Sequence, residues 1–109
     1  MRPLALVAFV AAVFFVGCGG GGASQDVRDR AVNEAMAAYR QARADGTDLS
    51  RGPCIAEQLP GLSDWVVDIA HDPRQPVDDV PQNQCRRYRS GQAHHFVELD
   101  TSGNLIRAQ

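Results

Sequence analysis

Beyond residue 18 this 109-residue chain has two cysteines, Cys54 and Cys85. A bond between them closes a loop of thirty residues, 55–84. In the chain-entropy treatment such a loop is worth about 3.7 kcal/mol before any native strain. The part of the chain that reads as folded is about 80–85 residues long, a size at which one apolar core is marginal and a covalent staple weighs heavily. There is no C-x-x-C spacing, so the pair reads as a disulfide and not as metal ligands.

Whether the pair oxidises depends on the compartment, and the first residues bear on that. Met1-Arg2-Pro3 precedes an apolar run from Leu4 to Val16, followed by Gly17-Cys18 and four glycines. The run is thirteen residues, short of the ~20 that span a bilayer. A charged tip, a short apolar stretch and a small residue before the cut describe a secretory signal. Phe15-Val16-Gly17-Cys18 resembles the bacterial lipobox. The resemblance covers only the first eighteen residues. It implies that residues 1–17 are removed and that Cys18 carries a diacylglyceryl group with palmitate-type chains. It also implies a lipid-anchored protein on the extracytoplasmic side of the cell membrane. There, Cys54 and Cys85 are expected to join. A simple cleaved signal would instead leave Cys18 as a free thiol.

Three segments follow: a signal at 1–17, a lipidated cysteine and glycine-rich tether at 18–25, and one small domain at 26–109. A flexible tether of that length spans on the order of 15 Å, which holds the domain near the membrane. Without Arg2, ten arginines face thirteen carboxylates, a net −3. That balance does not suggest a nucleic-acid partner.

Asp26 to Ala44 reads as an amphipathic helix. Val27, Ala31, Val32, Ala35, Met36, Ala38, Tyr39 and Ala42 fill one broad face, and Arg30, Asn33, Arg40 and Gln41 fill the other. Ser24 or Asp26 can cap its start, and Asp45-Gly46 is a stop signal. Pro53 followed by Cys54-Ile55-Ala56-Glu57-Gln58-Leu59 is expected to form one helical turn. Trp65 to Ala70 alternates as a strand, with Trp65, Val67 and Ile69 toward the helix. Cys85–Arg89 and Ala93–Asp100 read as two strands joined around Ser90-Gly91, and Leu105–Ala108 as the last. Asp100-Thr101-Ser102-Gly103 has the pattern of a type I turn. A three-residue loop there pairs Asp100 with Asn104. A two-residue loop sets Glu98 opposite Arg107, and the pattern leaves both registers open. The expected fold class is α+β: one N-terminal helix on a four-strand antiparallel meander in two layers. In outline this is similar to cystatin-like folds, although no cystatin inhibitory motif is present.

For function, the longest unpatterned stretch is His71 to Gln84, stiffened by Pro73, Pro76 and Pro81. Arg74, Val77, Asp78, Asp79 and Val80 make it a candidate recognition loop for a membrane-proximal protein partner. Arg86-Arg87-Tyr88-Arg89 is a basic cluster that the nearby Asp72, Asp78 and Asp79 are expected to neutralise. The titratable candidates are His71, His94 and His95 with Asp68, Asp72, Glu98 and Asp100. His71, His94 and Glu98 are weak candidates for a metal, the chemistry of an alternative reading as a small metal-dependent enzyme or hydrolase. No serine-nucleophile context or phosphate-binding loop is present. The leading expectation is therefore a small non-catalytic binding or accessory module of the cell envelope, without a cofactor.

Overall fold

The computed structural model describes residues 23–109. The signal, the lipobox, Cys18 and the first tether residues lie outside them. Helix α1, Gln25–Ala44, starts with Ser24 as its cap, whose Oγ accepts from the Val27 amide at 3.3 Å. It ends as the sequence predicts. Gly46 sits at φ 73°, its amide donates to Arg43, and the Thr47 amide donates to Ala42, which is a Schellman closure. The buried stripe is Ala31, Ala35, Tyr39 and Ala42. Small residues let the helix lie close to the sheet, and α1 touches all four strands.

The strands are β1 (Cys54–Ala56), β2 (Trp65–Ile69), β3 (His95–Leu99) and β4 (Leu105–Ala108), in that order across one sheet. Trp65, Val67, Ile69, Val97 and Leu99 meet Ala31, Ala35 and Tyr39 in the main core. The face assigned to β2 from its alternation, Trp65, Val67 and Ile69 toward the helix, is the one observed.

The meander is corrected in three places. β2 and β3 run parallel, from Trp65 beside His95 to Ile69 beside Leu99. β1 and β4 are antiparallel to their neighbours, so the sheet is mixed. A parallel pair requires a long crossover, and residues 70–94 supply it. Arg86–Arg89 is accordingly one turn of helix, α2, and not a strand. Glu57 explains this: its carboxylate accepts from the backbone amides of Arg86, at 2.6 Å, and Arg87, at 2.9 Å. Those amides are orphans of a helix start. Cys54–Ala56, expected as a helical turn, is instead the edge strand β1, pairing with Val67 and Asp68.

Both expected registers of the last hairpin occur. The Asp100 amide donates to Asn104 at 2.8 Å, and Leu99 faces Leu105. One step on, the register shifts and Glu98 faces Arg107, so Ile106 is the extra residue of a bulge. Gly103, at φ 87°, completes the turn. A Cβ there would lie 2.6 Å from the Tyr39 ring, and the Tyr39 hydroxyl donates to the Thr101 carbonyl at 3.0 Å.

The crossover packs on the sheet face opposite α1. Val66, Cys85 and Ala93 form a second small cluster with Cys54 and Phe96. Cys54 and Cys85 are joined by a disulfide, with Cα atoms 4.9 Å apart. The bond fastens the crossover to β1, and the rest of that face stays open.

Candidate functional site

The open part of the outer face is a cavity of about 470 Å³. Its floor comes from alternate residues of two adjacent strands: Val66 and Asp68 of β2, Phe96 and Glu98 of β3. One wall is Arg107 and Gln109, at and just beyond the end of β4. The other is Tyr88 and Arg89 of α2, and Arg74 reaches in from the loop after β2. The volume lies within the range of about 300–1,000 Å³ typical of small-molecule sites.

Glu98 is buried at 6% exposure. Its Oε2 accepts from Arg74 Nη1 at 3.1 Å, and Arg107 Nε stands 3.3 Å from its Oε1. A carboxylate held between two guanidinium groups is compensated on both oxygens. Asp68, its neighbour across the parallel pair, is in the opposite condition. Its Oδ1 is buried and has no hydrogen-bond partner. Burial, with the nearby Glu98 charge second, pushes the Asp68 carboxyl up to about 7; Arg74 opposes this. Asp68 is therefore divided between acid and carboxylate near neutral pH.

The aromatic groups are engaged. Phe96 meets Tyr88 edge-on at 5.1 Å, and the Arg107 guanidinium lies 5.4 Å from the Phe96 ring centre. Arg107 makes its Glu98 contact through Nε, which leaves its two terminal nitrogens without a protein partner among the described residues. The Arg89 side chain pairs with no described group at all. The expected neutralisation of Arg86–Arg89 by Asp72, Asp78 and Asp79 is corrected here. Asp79 pairs with Arg74 at 2.9 Å, and Arg87 donates to the carbonyls of Glu57 and Ser63.

The loop from His71 to Gln84 is organised around Asp78, which is 1% exposed. Asp78 accepts from the amides of His71, at 3.0 Å, and Gln75, at 2.8 Å, and meets His71 Nδ1 at 2.9 Å. Burial raises this carboxyl, but the bonds from Gln75 and His71 outweigh it and leave it below its ordinary value. Asp78 is thus an internal brace, and its place among the recognition residues is corrected. Pro76 and Pro81 open two short 3₁₀ turns. Of the remaining four, Asp79 and Val80 are exposed, Val77 is half-buried, and Arg74 leans over the sheet toward Glu98.

The weak metal candidates are not brought together. His71 is bound to Asp78, Glu98 to the arginines, and His94 to Asp64 at 2.7 Å. The His94 bond, working against slight burial, holds Asp64 below the usual carboxylate range. His95 stacks on Trp65 at 4.8 Å. Among the described residues the one trio with converging ligand atoms is Cys54, Glu57 and Cys85. Two of its members are bonded to each other. No described helix is long and apolar enough to cross a membrane.

Asp68 was legible as a candidate from its place in the apolar run Trp65–Ala70. Arg107 and Arg89 were not, because only the crossover and the hairpin bulge bring them to the same cavity. No protein-family model matches the chain, and no curated protein or solved structure matches it either.

Proposed function

We propose that this chain is a lipid-anchored extracytoplasmic binding module, and that it binds a small ligand in the cavity on the open face of its sheet. The observation that carries the binding reading is Asp68. A buried carboxyl oxygen without a partner is costly in a small domain, and the residue that carries it, Asp68, lines the floor of the cavity. The anchoring part rests on the resemblance of residues 15–18 to the lipobox. The Cys54–Cys85 disulfide is consistent with an oxidising compartment. The enzyme alternative needs His71, His94 and Glu98 to act together, and each is bound elsewhere. The Asp79 and Val80 edge of the loop remains a second exposed surface, where a membrane-proximal protein would dock.

The test has two readouts on the full chain. Cells making the wild type should incorporate a fatty-acid label, and Cys18→Ser should abolish it. Persistent labelling of the variant overturns the anchoring. For binding, the full chain in mild detergent is mixed with a pool of small polar metabolites and followed by amide NMR. Saturable shifts at 66–68, 96–98 and 107–109, with every compound recovered unchanged, support a binding module. Turnover of a compound, or shifts confined to other residues, overturns it.

A further inference from the structure

We infer that the ligand of this cavity is a small organic carboxylate, held by the guanidinium groups of Arg89 and Arg107 and by a hydrogen bond from Asp68. This inference deepens the binding reading above and rests on it.

The charge around the cavity favours an anion. Arg74, Arg89 and Arg107 line it, against Glu98 and Asp68. Arg74 is spent: its Nε goes to Asp79, Nη1 to Glu98, and Nη2 to the Asp78 carbonyl at 3.4 Å. Glu98 is spent as well, one oxygen to each arginine. What stays unsatisfied is the free edge of Arg107, the whole of Arg89, and Asp68 Oδ1. Two guanidinium edges match the two oxygens of a carboxylate in their planar fork. The apolar body of such a ligand has Val66, Tyr88 and Phe96 to lie against.

Asp68 selects among ligands by its protonation. As an acid it donates to a carboxylate oxygen; as a carboxylate it repels one. The groups facing it are Glu98 on β3, Arg74 and Asp78 from the loop, Arg107 on β4, and Tyr88 and Arg89 on α2. Its neighbour on β1, Cys54, is in the disulfide and does not titrate. With its carboxyl at about 7, anion affinity should fall about 10-fold between about pH 6 and pH 8. A cationic ligand would show the reverse.

Benzoate and benzamidinium have nearly the same planar shape and opposite charge. Each is titrated into the full chain in mild detergent at several pH values, with amide NMR as the readout. Benzoate should bind with millimolar or better affinity, shifting residues 66–68, 96–98 and 107–109, and more tightly at the lower pH. Benzamidinium should not saturate. Arg89→Gln, an exposed change that leaves Glu98 its partners, should weaken benzoate at least several-fold. Asp68→Asn keeps a donor and should bind benzoate with no pH dependence across this range. Tighter binding of benzamidinium, affinity that rises with pH, or no saturable benzoate shift overturns the inference. If other compounds still shift the same amides, only the ligand class is wrong and the cavity remains the binding site.

Discussion

Asp68 and Glu98 are register partners on the parallel strands β2 and β3, yet only Glu98 is in contact with guanidinium groups. The sheet places two carboxyl groups side by side on its open face. Of the three arginines that line that face, the two that contact a carboxyl group, Arg74 and Arg107, both contact Glu98.

The first prediction follows from this asymmetry. The Asp68 carboxyl ionises at about 7 in the folded chain and at its ordinary value of 3.8 when unfolded. Between those values the folded state holds a proton that the unfolded state has lost. Stability therefore falls as pH rises through that window and levels off above about pH 7. Asp68→Asn should remove this slope and stabilise the protein by about 2–4 kcal/mol at about pH 8. Urea denaturation across the pH range measures it, and an unchanged slope in the variant would refute the assignment. Asp64, Asp78 and Asp100, held below their ordinary values, contribute the opposite slope only as the solution becomes acidic.

Glu57→Ala should release the amides of Arg86 and Arg87 and unwind α2. The cost should be about 2–4 kcal/mol, since two amides lose a charged acceptor. Hydrogen exchange should quicken at residues 86 and 87 while the centre of α1 keeps its protection. Protection retained at 86 and 87 would show that α2 does not depend on this cap.

Opening the disulfide should cost about 2–5 kcal/mol, measured as the loss in Cys54→Ala. In the untreated protein Cys54 and Cys85 should resist alkylation, and intact mass should be two hydrogens below the dithiol. Alkylation at both sites without reductant would contradict the bond.

Gly103→Ala forces a Cβ toward the Tyr39 ring at a backbone angle that favours glycine. It should destabilise by about 1–3 kcal/mol. Tyr39→Phe removes only the bond to the Thr101 carbonyl and should cost about 1 kcal/mol. Thermal denaturation of both variants checks the order, and a milder effect for Gly103→Ala would contradict the packing described.

What the sequence disclosed follows the range of the forces involved. Helix α1 was legible because Ser24, the Ala31–Ala42 stripe and Asp45-Gly46 all act within a few residues. The face of β2 was legible from alternation. Residues 54–56 and 86–89 were misread because their conformations are imposed from afar: one by pairing with β2, the other by Glu57, some thirty residues away. The hairpin left two registers open, and the Ile106 bulge uses both. The cavity was half visible. Asp68 and Glu98 were candidates, but the arginines that give the site its charge come from three separate segments.

The bulge also bears on how copies of this protein meet. β4 is an outer strand of the sheet, and an outer strand with regularly spaced free amides and carbonyls is a template for another chain. The register shift at Ile106 interrupts that spacing after two pairs on one side and three on the other. Arg107, half-exposed beside it, adds a charge that an incoming strand would have to cover. On the β4 side the sheet thus ends in an edge that an incoming strand would find hard to extend.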